Sequence, residues 1–149
     1  MRALVTGATG FLGVQLVNEL ESSGYLVRIL SRSEHSRYDT ILCDLAKQNI
    51  PDSAFYQVDV IFHLAGYTHD TESSQDKWSS YYDLNVKATI ALAEKAVKHN
   101  IKKFIFISSV KAGGIVFNDD CMSESNQEDP VEMYGLSKRQ AEIKILKIG

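Results

Sequence analysis

Short apolar runs alternate with stretches of helical spacing along the chain. Arg2–Thr6, built around Ala3, Leu4 and Val5, predicts a first strand. From Phe11 to Ser23 the apolar positions Phe11, Leu12, Val14, Leu16, Val17 and Leu20 recur at helical intervals, and Gly24 stands where a helix stop belongs. Tyr25–Leu30 predicts a second strand and Asp39–Cys43 a shorter third. Leu45–Gln57 is weakly patterned, and Pro51 breaks any helix there. Val58–Leu64 predicts a buried fourth strand. Trp78–Asn100 is the longest helical stretch, with Leu84, Ala88, Ala91, Leu92 and Ala96 on one face. Lys103–Ser108 predicts a fifth strand centred on Phe-Ile-Phe-Ile. A polar, acidic loop follows from Lys111 to about Met133, and Tyr134–Ile148 predicts a last helix. Nearly continuous apolar strands between helices predict a parallel sheet covered on both faces, an α/β fold in three layers, α/β/α.

A length of 149 residues fits one domain with a full hydrophobic core. Hydrophobic residues at 44% and charged residues at 23% are ordinary soluble usage. A net charge of −3 leaves no polycationic footprint, so nucleic acid is not expected as a main partner. Apolar stretches such as Val58–Ala65, interrupted by Asp59 and His63, are too short to span a bilayer. Met1–Val5 runs straight into Thr6-Gly7, so no signal peptide is expected, and no membrane partner. Cys43 and Cys121 are the two cysteines, far apart, which suits a reducing cytoplasm better than a disulfide framework. His35, His63, His69 and His99 lack ligand-like spacing with cysteines or acids, and no metal site is expected.

The first chemical feature is Thr6-Gly7-Ala8-Thr9-Gly10-Phe11-Leu12-Gly13, between the first strand and first helix. The first glycine permits a tight turn, the second lets the backbone approach a pyrophosphate, and the third lets helix pack on strand. The N–H groups of the helix start then face the phosphates, where the helix dipole favours negative charge. The spacing G-x-x-G-x-x-G is one residue away from the G-x-G-x-x-G fingerprint. An ordinary strand–helix turn is the bland alternative. The position after an N-terminal strand and before an amphipathic helix favours a doubly wound, Rossmann-type dinucleotide site.

Several separated motifs, in order, resemble the extended short-chain dehydrogenases/reductases, the NAD-dependent epimerase/dehydratase family. They are the glycine loop, Asp44-Leu45, His63-Leu64-Ala65-Gly66, Asn85-Val86-Lys87-Ala88-Thr89, Ser108-Ser109, and Tyr134-Gly135-Leu136-Ser137-Lys138. The resemblance covers the whole chain. It implies that Asp44 and Leu45 lie near the adenine and that Leu64, Ala65 and Gly66 belong to the segment passing the cofactor. Asn85 matches an asparagine more structural than chemical, and a buried amide bonding backbone is its bland reading.

Tyr134 and Lys138 are four residues apart at a helix start, so their side chains share a face. A tyrosine near its normal pKa of ~10 is a poor base at neutral pH, and a neighbouring ammonium favours its phenolate. The resemblance implies that Tyr134 exchanges a proton with the substrate while the nicotinamide exchanges hydride. It implies further that Lys138 bonds the nicotinamide ribose and that Ser109, with Ser108 beside it, binds the reacting oxygen. Two serines that merely end a strand are the alternative. The carboxyl edge of a parallel sheet is nevertheless where such folds bind ligands.

Cofactor choice turns on the residues after the second strand. An acid there would bond the ribose 2′-OH and favour NAD. The sequence has Ser31 and Arg32 instead, and Arg32 is placed to meet a 2′-phosphate, with Arg37 in support. A solvated loop arginine is the competing reading. The expected cofactor is NADP or NAD, with NADP favoured. Trp78, Tyr81 and Tyr82 read as helix-packing or interface residues, and His69 and Asp70 occupy a loop that could approach substrate.

Two departures from the family stand out. The family continues for about as many residues again, supplying most of the substrate domain, so residues 1–149 read as an NAD(P)-binding domain without it. The helices that pair relatives into dimers are present, which makes a homodimer plausible. After Ser109, many relatives have Val-Tyr-Gly where this chain has Val110-Lys111-Ala112-Gly113-Gly114. Lys111 is either a substrate-facing variation or a solvated loop charge. The expected activity is epimerase, dehydratase or reductase chemistry on a nucleotide sugar. A ketone reductase of the dihydroflavonol or steroid type, or a non-catalytic NAD(P)-binding sensor, are the alternatives.

Overall fold

A computed structural model describes residues 1–47, 49–68, 78–114, 123 and 128–148. The expected role of His69 and Asp70, and Cys121, fall outside the described residues. The elements are β1 (Arg2–Thr6), α1 (Phe11–Ser22), β2 (Leu26–Ser31), β3 (Asp39–Leu42), β4 (Val60–His63), α2 (Trp78–Tyr81), α3 (Ala88–Lys98), β5 (Lys103–Phe106) and α4 (Met133–Ile145). Short 3-10 turns occupy Asp52–Phe55 and Val110–Gly113. A π-helical turn, Tyr82–Lys87, joins α2 to α3.

All strand pairs are parallel, in the order β3-β2-β1-β4-β5. The order reverses between β1 and β4, the place where open α/β sheets leave a crevice. Strand alternation divides the core. Ala3, Val5, Ile29 and Val60 meet Val17 and Leu20 of α1 on one face. Leu4, Leu30 and Ile61 meet Leu92 and Ala96 of α3 on the other. Burying Leu4, Ile29, Ile61 and Leu92 fully stabilises the fold by about 2 kcal/mol each. The sheet is thus covered on both faces, as the apolar strands predict.

Two stretches differ from the pattern expected of the sequence. In α1, Phe11, Leu12 and Val14 are exposed, and Gly13, Val17 and Leu20 are the buried positions. The expected face of the long helix holds at Ala88, Leu92 and Ala96, with Leu84 half-buried, and fails at Ala91. Ala91 is exposed, and the buried positions are Tyr81, Asn85, Val86, Ala88, Thr89, Leu92, Ala93 and Ala96. The π turn adds a residue to one turn, so Tyr81 and Asn85 before and within it do not continue the phase of Ala88, Leu92 and Ala96.

Candidate active site: a cleft along the carboxyl edge of the sheet

The loops that leave the carboxyl ends of the strands line one cleft of about 1150 Å³. Across it, in strand order, come Asp44 to Lys47 after β3, Ser31 at the end of β2 with Arg32 after it, and the glycine loop after β1. Leu64 to Thr68 follow β4, and Ile107 and Ser108 follow β5. Tyr134 and Lys138 of α4 and Ser80, Asp83 and Leu84 complete the lining.

The glycine loop has the form the sequence predicts. Gly7 adopts φ +72°, and a Cβ there would lie 2.7 Å from Ala65 N. A Cβ on Gly13 would lie 2.1 Å from Gly7 O, so α1 reaches the strand only because the residue is glycine. Gly10 differs: a Cβ there would meet only Gly7 O, at 3.3 Å, and its missing side chain leaves room in the cleft. Gly10 is also the N-cap of α1, with no side-chain cap and no acidic residue in the first turn. The leading N–H groups of α1 therefore face the cleft with no carboxylate competing for them. Phe11, 90% exposed, and Leu12 form its lip.

At the other end Lys138 is nearly fully buried. Its Nζ donates to Ile107 O at 2.6 Å and lies 4.0 Å from the Phe106 ring centroid. Burial pushes its pKa down to about 8, with the Glu142 charge opposing. The two serines divide. Ser108 lines the cleft, and its buried Oγ has no hydrogen-bond partner among the described residues. Ser109 Oγ is turned to the Val110–Gly113 turn, where it accepts the Lys111 N–H at 3.3 Å. Alternation explains the split: Phe104 and Phe106 pack beside His63 on the α3 face, and Ser108 continues that side. The structure thus brings Ser108, rather than Ser109, to Tyr134 and Lys138.

Asn85 is buried behind the cleft wall rather than on it. Its Oδ1 accepts from Tyr67 N at 2.7 Å, and its Nδ2 donates to Tyr67 O at 3.0 Å and Ser137 Oγ at 2.9 Å. Arg32 is exposed at the cleft and makes no ion pair or hydrogen bond among the described residues. Arg37 does not join it: it pairs with Glu21 of α1 and stands over the Tyr38 ring. Lys111 pairs with Glu132 at 2.5 Å and is not part of the lining, so it is a paired loop charge. Tyr81 packs edge-on against Tyr67, and Trp78 against Tyr82.

The buried groups His63, Thr6, Thr89 and Ser137 carry no signal in the sequence beyond their place in the motifs, because their partners are distant along the chain. Among the described residues, no three His, Cys, Asp or Glu side chains gather as a metal site. No helix among them is long and apolar enough to cross a membrane.

The model of the NAD dependent epimerase/dehydratase family matches residues 3–148. The chain belongs to that family. It is 30% identical over 151 residues to a UDP-glucose 4-epimerase of Vibrio cholerae, an alignment covering 97% of this chain and 46% of that protein. It is 33% identical over 141 residues to an N-acetyl-alpha-D-glucosaminyl-diphospho-ditrans,octacis-undecaprenol 4-epimerase of Escherichia coli O157:H7, covering 93% of this chain and 41% of that one. Among solved structures, MoeE5 in complex with UDP-glucose and NAD superposes with a TM-score of 0.86 at 31% identity, over 99% of this chain and 49% of that one. The chain thus spans just under half the length of these relatives.

Proposed function

We propose that residues 1–149 are the NAD(P)-binding unit of an epimerase, dehydratase or reductase that acts on a nucleotide sugar. The observation that carries this is one cleft holding both the glycine loop and the group Ser108, Tyr134 and Lys138. A relative named as a UDP-glucose 4-epimerase, and MoeE5, solved with UDP-glucose and NAD, support it.

The cleft fits a dinucleotide on its own features. The α1 N-terminus and the room at Gly10 suit a pyrophosphate. Asp44 and Leu45 flank the adenine end, and Ala65 and Gly66 give a wall of small side chains. Arg32 is free to pair with a 2′-phosphate, which supports a preference for NADP over NAD. Asn85 holds the Tyr67 segment and supports the cofactor site from behind. A bound dinucleotide supplies the hydride acceptor and donor. Tyr134 moves the proton at the substrate oxygen, and Lys138 sets the electrostatics of that phenol. Ser108, whose buried hydroxyl has no partner among the described residues, donates to the same oxygen once rotated into the cleft, while Ser109 holds the turn behind it.

Tyr134→Phe separates an enzyme from a cofactor-binding sensor. Assayed with UDP-glucose and dinucleotide, the variant should lose turnover by at least about a hundredfold and keep cofactor affinity. Turnover in Tyr134→Phe equal to that of wild type contradicts the catalytic reading.

A further inference from the structure

A chain of buried hydrogen bonds runs behind the cleft, and its proton directions are fixed. His63, fully buried at the end of β4, stands at its centre. Its Nε2 lies 2.8 Å from Thr89 Oγ1, and Thr89 Oγ1 donates to Asn85 O at 2.8 Å. A hydroxyl has one proton, so Thr89 accepts from His63, and Nε2 carries the hydrogen. On the other side, His63 Nδ1 lies 2.6 Å from Thr6 Oγ1, which accepts the Ala65 N–H at 3.1 Å. In a neutral ring with its hydrogen on Nε2, Nδ1 is the bare acceptor and takes the Thr6 hydroxyl proton. A second ring proton would leave the Thr6 hydroxyl without an acceptor and bury a charge. Burial, reinforced by the Lys138 charge, holds the imidazole pKa down to about 3.

Asn85 joins this chain to a second one. Its amide grips both backbone groups of Tyr67, and its Nδ2 also donates to Ser137 Oγ. Ser137 Oγ in turn donates to Tyr134 O at 2.7 Å. Ala65 and Tyr67 flank Gly66 in the cleft wall, and Tyr134 opens α4. Three parts of the cleft thus share one hydrogen-bond system. Reversing any link would strand a buried donor or acceptor.

We propose that His63, held as the Nε2–H tautomer between Thr6 and Thr89, is a positioning residue that fixes the Ala65–Tyr67 wall relative to Tyr134. His63 and Thr89 are absent from the lining, so the effect is transmitted through backbone groups. This rests on the dinucleotide reading above. A merely structural role would show in stability alone, whereas a positioning role shows in affinity as well.

Thr89→Val keeps the side-chain shape and removes the acceptor for Nε2–H, and Thr89→Ser restores it. Nitrogen-15 spectra of the imidazole report the tautomer, NADPH titration reports the cleft, and Tm reports stability. Wild type should show the Nε2–H tautomer at neutral pH. Thr89→Val should lose that pattern and weaken NADPH about tenfold, and Thr89→Ser should regain both. Leu92→Ala, a buried truncation in the same helix, should lower Tm and leave NADPH affinity unchanged. Should Thr89→Val fail to fold, Ser137→Ala cuts the Tyr134 arm and should weaken NADPH severalfold. An Nδ1–H or doubly protonated ring in wild type, or unchanged affinity in the folded variant, overturns the proposal. Wild type that has the tautomer but binds no NADPH contradicts the dinucleotide reading instead. The Ala65 and Tyr67 amide signals then decide the positioning: they must shift in Thr89→Val and return in Thr89→Ser, and signals that stay put overturn it.

Discussion

Lys138 Nζ donates to the carbonyl oxygen of Ile107 at 2.6 Å, which ties the ammonium of α4 to the end of β5. Burial of the amine has a cost that the bond does not remove: the pKa falls from 10.5 to about 8. Between these values the unfolded chain binds the extra proton, so stability is lowest below about 8 and rises toward 10.5. The penalty at neutral pH is about 3 kcal/mol. Urea unfolding of wild type and Lys138→Met at neutral and alkaline pH isolates it, since other groups cancel in the difference. Wild type should gain about 3 kcal/mol on Lys138→Met as pH rises through this window. A difference that stays flat means Lys138 is not desolvated.

The glycines of the loop should separate fold from function. Gly13→Ala sets a Cβ 2.1 Å from Gly7 O, and the protein should lose more than about 3 kcal/mol or fail to fold. Gly10→Ala meets Gly7 O only at 3.3 Å, and its φ of −78° suits any residue. It should keep Tm near wild type and lose dinucleotide affinity by at least about tenfold, because its methyl enters the cleft. Equal behaviour of the two variants in melts would contradict this division.

Arg32 should carry the choice of cofactor. It has no ion-pair partner among the described residues, whereas Arg37 is held by Glu21. Arg32→Ala should weaken NADPH about tenfold and leave NADH nearly unchanged. Parallel loss of both, or of NADH alone, would remove the 2′-phosphate contact.

Arg28 predicts stability rather than binding. Buried in β2, it pairs with Asp39 at 2.8 Å, and its Nη1 donates to the carbonyls of Ser53, Ala54 and Tyr56 at 3.0 to 3.3 Å. Arg28→Met leaves those carbonyls without their charged donor and should cost about 2–3 kcal/mol in urea unfolding. Loss below about 0.5 kcal/mol would mean that water replaces the guanidinium.

Strands and the glycine loop were legible because their causes are local. Apolar runs make Ala3–Val5 and Val60–Phe62 strands wherever a sheet covers both faces. Gly13 is dictated by an atom six residues away, Gly7 O. What stayed hidden depends on partners distant in sequence or on a shift of phase. The π turn at Tyr82–Lys87 has no period that a sequence displays, and it buries Asn85 off the phase of Ala88, Leu92 and Ala96. Phe11 reads as core but is the lip of the cleft. Ser108 and Ser109 are chemically alike, and only the face shared with Phe106 separates them. Arg28 looks out of place in an apolar strand until the carbonyls near position 55 come to meet it.

The most direct measurement is titration of the folded protein with NADPH and with NADH, by calorimetry or quenching of protein fluorescence. One saturable site per chain is expected, tighter for NADPH, and weakened in Gly10→Ala at an unchanged melting temperature. A folded protein that binds neither dinucleotide saturably would contradict a cofactor role for the glycine loop and everything assigned to the cleft beside it.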